Sequence, residues 1–147
     1  DLMLRAMQST DLHEVARIGK ECFGESAHLS SMPFDEDKAA GFVTDVMAAG
    51  FAVVYEHAGR VVGMMLGDVI APWYSRGLMG VEHILAVEPA SRGTPAAPML
   101  IQAWEAWCED MGAQIVRLSV SSEYEAAGRL YQRIGYRHAG GNYFRVL

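Results

Sequence analysis

From Leu85 to Ala97 the chain reads Leu-Ala-Val-Glu-Pro-Ala-Ser-Arg-Gly-Thr-Pro-Ala-Ala. The run leaves one apolar segment and opens another, and small residues dominate its middle. Small side chains let a backbone come close to a ligand. Where the second segment is a helix, its first N–H groups and the positive end of its dipole make a site for an anion such as a pyrophosphate. Arg92 would add charge, and Gly93, Thr94, Ala96 and Ala97 would offer donors. Pro95 and Pro98 have no N–H, although a first helical turn tolerates proline at Pro98. Just upstream stand Glu82 and His83. Strand alternation puts His83, Leu85 and Val87 on one face and Glu82, Ile84 and Ala86 on the other. An imidazole near its unperturbed pKa suits proton uptake at neutral pH, and a bulge would exchange it for Glu82.

The elements that must hold these groups follow from periodicity. Met3–Met7 reads as a strand. Asp11 to Cys22 carries Leu12, Val15, Ala16, Ile18 and Cys22 at helical spacing, with Ser9 or Thr10 as its cap. Residues 24–34 are aperiodic. Asp35 caps a second helix, which Gly50 ends. Phe51–Glu56 and Arg60–Val69 are strands joined at His57-Ala58-Gly59. A Pro- and Gly-bearing loop leads to a third strong strand, Gly80–Val87. In the helix from Ala96 to Met111, the residues Met99, Leu100, Ala103, Trp104, Trp107, Cys108 and Met111 form one stripe, so the two tryptophans read as core before binding surface. Gln114–Val120 is a strand. Ser122 to Glu125 fits a capping box for a helix running to Ile134. Tyr136–His138 and Asn142–Val146 read as a final strand pair. The class is α/β: one mixed, mostly antiparallel sheet flanked by helices, with a parallel strand–helix–strand unit from Gly80 to Val120.

Composition sets outer limits. The chain has 147 residues, which predicts one domain. Hydrophobic residues make up 51% and charged residues 20%, a globular balance. No apolar run reaches the ~20 residues of a membrane span, and no signal-peptide order is seen, so a cytoplasmic protein with Met3 as native start is expected. A net charge of −6 disfavours nucleic acid and steers weakly toward a cationic or amine substrate. Cys22 and Cys108 lack ligand or framework spacing, and the histidines are scattered, so no metal is expected.

Val-x-Pro-x-x-Arg-Gly before a helix resembles the acetyl-CoA signature of the GNAT superfamily of N-acetyltransferases, whose pattern is Arg/Gln-x-x-Gly-x-Gly/Ala. Arg92 and Ala97 match; Pro95 departs. Ala127, Leu130, Tyr131, Gly135 and Tyr136 match the second hallmark, Asn-x-x-Ala-x-x-Leu-Tyr-x-x-x-Gly-Phe/Tyr, with Tyr124 where Asn often contacts CoA. Both motifs together cover roughly the C-terminal half. Asn142-Tyr143-Phe144 and Phe34-Asp35-Glu36 further resemble small GNATs encoded by tailed phages.

The resemblance implies a GNAT acyl-CoA N-acyltransferase fold and direct acetyl transfer from acetyl-CoA to a primary amine of a small molecule or protein. It implies that Leu85, Ala86 and Val87 hold the acetyl and pantetheine portions, and that Arg92, Gly93, Thr94, Ala96, Ala97, Tyr124 and Tyr131 complete the cofactor site. Tyr131 stands at the family's general-acid position, and a protonated phenol can donate at neutral pH; simple packing is an equal alternative. His83, or Glu82, would be the base, and a structural role for His83 is as good a reading. Phe23, His28, Phe34, Trp73 and Tyr74 are candidate walls for the acceptor. Glu25, Asp35 and Glu36 could attract a cation. Many members pair, so a homodimer is an expectation, though no interface can be picked out. Two further readings stand beside the enzyme: an inactive CoA-binding or interaction module, and a phage acyltransferase for host protein or modified DNA.

Overall fold

A computed structural model describes residues 2–120 and 125–147. Tyr124 and the capping box expected at Ser122 lie outside the described residues. Five strands form one sheet in chain order: β1 (Leu2–Ala6), β2 (Phe51–His57), β3 (Arg60–Ile70), β4 (Met79–Val87) and β5 (Ile115–Arg117). The first four pair antiparallel, and β5 runs parallel to β4. The helices are α1 (Leu12–Gly24), α2 (Glu36–Ala49), α3 (Ala96–Asp110) and α4 (Glu125–Arg133).

The sheet is covered on both faces. Consecutive Met64 and Met65 are both buried and enter different cores, as the two-residue period of a strand requires. The Met64 core holds Val15 and Ile18 of α1 with Val43 and Val46 of α2. The Met65 core holds Leu100, Ile101, Trp104 and Cys108 of α3. Trp104 is fully buried, as its place in the stripe predicts. Met99 and Met111 of that stripe are exposed instead, and Ile101 takes their place inside. The seat of Trp104 is cut from two glycines. A Cβ on Gly67 would collide with the Trp104 indole nitrogen, and one on Gly80 would stand 2.6 Å from Cys108 Sγ.

Local chemistry explains the joins. Ala58 and Gly59 both have positive φ (52° and 76°), the twist that closes a two-residue hairpin between β2 and β3. Asp35 caps α2 as expected, accepting from the Lys38 N–H at 3.0 Å. Neither Ser9 nor Thr10 caps α1. A short 3₁₀ turn, Ser9–Asp11, precedes it, and Asp11 does the organising. Its carboxylate accepts from the Gln8 N–H at 2.8 Å and from both terminal nitrogens of Arg5 at 2.8 and 2.9 Å.

Two strand expectations are corrected. The strand expected over Gln114–Val120 is only Ile115–Arg117, paired to Met79–Val81. Beyond that point the Glu82 carboxylate takes the Ser119 N–H at 3.1 Å and its hydroxyl at 2.9 Å, so the donor that would extend the ladder is already used. The pair expected over 136–147 is absent. Tyr136 packs on the Met65 core as a single anchor, Tyr143, Val146 and Leu147 are exposed, and β5 offers an edge of three residues only.

Candidate active site

The parting of β4 from β5 creates the site. Two cavities meet there. A cleft of about 650 Å³ runs along the β4–α3 loop and the near side of α4. A narrower pocket of about 330 Å³ lies between α1, α2 and the sheet. Cys22, Leu85, Ala127 and Tyr131 line both.

The cleft gathers the sequence-predicted loop. Leu85, Ala86, Val87, Arg92, Gly93, Thr94 and Ala97 line it. Ala96 does not: its side chain is fully buried in the Met65 core, because the first turn of α3 must pack on the sheet. Gly93 has φ +82°, which turns the chain from a 3₁₀ turn at Pro89–Ser91 into α3. Thr94 fastens the loop by donating its hydroxyl to Ser91 O at 2.6 Å. Pro95 is the residue just before α3, so the N–H it lacks precedes the helix. In the first turn the Ala96 N–H turns to Thr94 Oγ1 at 3.4 Å, and the next N–H along is that of Ala97. A diphosphate fits such a setting, with the positive end of a helix and small residues along one wall.

Two features of the cleft were not visible in the sequence. Arg92 does not project freely. Its guanidinium is paired with both carboxylate oxygens of Glu25 and donates from Nε to Val87 O at 3.1 Å. Glu25 is accordingly held below its ordinary range by that pairing. Arg133, on the last turn of α4, lines the same cleft with no ion pair among the described residues. Beneath the loop, buried Glu88 is clamped by Arg60 at 2.7 and 3.0 Å and by Arg17 at 3.3 Å. The clamp ties the loop to β3 and α1.

The narrow pocket holds the candidate bases. The register of β3 against β4 steps from Leu66↔Ile84 to Gly67↔Glu82, so β4 carries His83 as an extra residue. This bulge interrupts the alternation, and both Glu82 and His83 line the pocket. His83 Nε2 lies 2.6 Å from Asp68 Oδ2, and its ring packs edge-on against Phe42 at 5.0 Å. Asp68 has room because position 50 is glycine. A Cβ there would collide with the Asp68 carboxylate and stand 2.8 Å from Gly67 O. Gly50 thus serves close approach, and its φ of −115° shows no left-handed cap.

Glu82 is half-buried, and burial pushes its carboxyl above its ordinary range, against the lowering effect of the two Ser119 donors. Tyr131 donates its hydroxyl to Ser119 O at 3.4 Å. Burial first, and the Glu82 carboxylate second, push its phenol upward, so it stays protonated. Burial likewise raises the Cys22 thiol, which leaves it a poor nucleophile.

Of the expected wall residues, Phe23 and Phe34 line the pocket and pack edge-on at 5.3 Å. His28 stacks on Phe144 at 5.4 Å. Trp73 and Tyr74 are exposed, pack on each other and line neither cavity. Asp35 is a helix cap, and Glu36 pairs with Lys20 at 3.3 Å. Among the described residues no group of three His, Cys, Asp or Glu side chains is placed to hold a metal, and no helix is long and apolar enough to cross a membrane.

The parted sheet and the loop before α3 thus bound one continuous opening, shared by the cleft and the narrow pocket. Residues 12–136 match the model of the acetyltransferase (GNAT) family. The chain belongs to that family. No curated protein matches it in sequence. Similar solved structures share the fold across essentially the whole chain. An acetyltransferase of Trypanosoma brucei is 23% identical with a TM-score of 0.74, covering 100% of both chains. A GCN5-related N-acetyltransferase of Ralstonia eutropha JMP134 is 20% identical with a TM-score of 0.78, covering 99% of both. The aminoglycoside N-acetyltransferase AAC(6')-Iy, solved in complex with CoA, is 15% identical with a TM-score of 0.78, covering 100% of this chain and 95% of that one.

Proposed function

We propose that the protein is an N-acetyltransferase that moves an acetyl group from acetyl-CoA to a primary amine. One observation carries the reading: the loop cleft and the narrow pocket meet at Leu85 and Tyr131. A thioester in one and an amine in the other would touch there. Family membership and a structural relative solved with CoA support the choice of donor.

Acetyl-CoA supplies the thioester carbonyl. Gly93, Thr94 and Ala97, with Arg133 and the Arg92–Glu25 pair, would hold its phosphates, and the β4 backbone at Leu85 to Val87 its pantetheine portion. An amine attacks only when neutral, so Glu82 or His83 takes its proton, directly or through water. Asp68 holds the His83 ring for that task. The nitrogen lone pair forms the C–N bond, the second nitrogen proton leaves by the same route, and the C–S bond breaks. Tyr131 gives its hydroxyl proton to the departing sulfur and is reprotonated from solvent. Burial keeps the phenol protonated at neutral pH, so the proton is in place beside the sulfur as negative charge develops there. The test is thiol release from acetyl-CoA across a panel of primary amines. Amine-dependent release with a matching acetamide product is expected. Release that never exceeds spontaneous hydrolysis with any amine would overturn the reading.

A further inference from the structure

We infer that the acceptor is a small, singly charged primary amine on an apolar body, of the arylalkylamine or branched alkylamine type. This rests on the transferase reading and names the occupant of the narrow pocket. The pocket's volume is about 330 Å³. At about 30 Å³ for a water-sized unit, that is room for on the order of ten non-hydrogen atoms.

Its chemistry is lopsided. Leu12, Val15, Phe34, Val43, Met64 and Leu66 come from α1, the loop before α2, α2 itself and β3, and all are apolar. The ionisable lining is confined to the β4 bulge, at Glu82 and His83, to Tyr131 of α4, and to the Cys22 thiol of α1, which burial keeps neutral. Lys20, Glu36 and Asp37 on the surrounding helices do not line it. A ligand with one ammonium can therefore place it against Glu82 and His83 and bury its remainder among aliphatic and aromatic walls. A polyamine or aminoglycoside would have to press further charges on surfaces that hold no counter-ion, at a high desolvation cost. A lysine side chain on a protein would bring the same single ammonium on a linear stem that fills less of the apolar wall, and the lysine peptide below separates it from the free amines.

The acetylation balances as in any amide transfer. The ammonium gives up two protons to water through Glu82 or His83, one before attack and one as the C–N bond forms; the C–S bond breaks, and Tyr131 supplies the sulfur's proton and recovers one from water. Specificity then comes from how well the apolar body fills the pocket, where each methylene changes kcat/KM by about tenfold or more.

The experiment pairs two readouts on the full chain. The first is binding of 2-phenylethylamine, isoamylamine, spermidine and kanamycin by calorimetry, with and without CoA. The second is acetyl-CoA-dependent acetylation of the same four amines and a lysine peptide. We expect 2-phenylethylamine or isoamylamine to lead by at least about tenfold in kcat/KM. Ala39→Phe, which fills the pocket from α2, should raise their KM by a similar factor and leave the acetyl-CoA Kd within about twofold. Should that variant not fold, the wild-type series from ethylamine to 4-phenylbutylamine decides. Its kcat/KM should climb and then drop as the body outgrows the pocket. Preference for kanamycin, spermidine or the peptide, with turnover intact, would overturn the substrate class and leave the transferase standing. Absence of acetyl-CoA binding and of all turnover would sink the transferase instead. The amine calorimetry would then judge the pocket, with saturable 2-phenylethylamine binding supporting it and none refuting it.

Discussion

Glu82 and Tyr131 meet at one residue. Ser119 gives its N–H and hydroxyl to the Glu82 carboxylate at 3.1 and 2.9 Å, and its carbonyl accepts from the Tyr131 hydroxyl at 3.4 Å. The group proposed to take a proton and the group proposed to give one are thus held by the same residue. That residue lies where β5 has stopped pairing with β4.

Tyr131→Phe removes the donor and keeps the ring. We expect kcat to fall on the order of a hundredfold, with the acetyl-CoA Kd changed by no more than a small factor. Wild-type turnover in single-turnover kinetics would reduce Tyr131 to packing.

The pH profile distinguishes the two bases. A Glu82 carboxyl raised by burial ionises only as pH climbs above the ordinary glutamate range, so activity that depends on it rises along an acidic limb displaced upward. Ser119→Ala removes a donor that stabilises the carboxylate, and should shift that limb further up. His83→Ala would flatten the limb if His83 is the base. An unmoved limb in both variants would point to water alone.

Gly50→Ala tests the support of His83 at a distance. A methyl at position 50 would meet the Asp68 carboxylate and Gly67 O, so Asp68 must leave His83 or the α2–β2 junction must shift. We expect lower kcat with unchanged acetyl-CoA affinity. Full activity in a stably folded variant would mean that the Asp68–His83 contact is dispensable.

The Arg5–Asp11 pair should be visible in stability against pH. Asp11 is pulled below its ordinary 3.8, chiefly by Arg5. A carboxyl lowered in the folded state stabilises the fold fully above the unfolded-chain value and loses that contribution as pH falls through the folded one. Asp11→Asn should therefore cost about 1–3 kcal/mol near neutrality by urea denaturation, and the gap from wild type should narrow below pH 4 or so. A gap independent of pH would assign the loss to packing.

The elements legible in the sequence are those with long periods. The centre of the α3 stripe, the β2–β3 hairpin and the turn from β4 into α3 stand where residue spacing puts them, because each follows from local patterning. Contacts distant in sequence were illegible. Asp68 reaches His83 across a strand pair, Glu25 reaches Arg92 from the end of α1, and Ser119 reaches Glu82 across a ladder that ends early. The bulge at His83 leaves no periodic trace, since one inserted residue looks the same as uninterrupted alternation. Trp73 and Tyr74 misled for the opposite reason: aromatic type suggests a wall, but position on an exposed loop decides.

The most direct test of the central claim is calorimetric titration of the protein with acetyl-CoA and with CoA, alongside Pro95→Gly. The account predicts saturable binding at one site per chain, with affinity kept or improved in Pro95→Gly because a donor is restored ahead of α3. No heat of binding at millimolar ligand, in either protein, would contradict it.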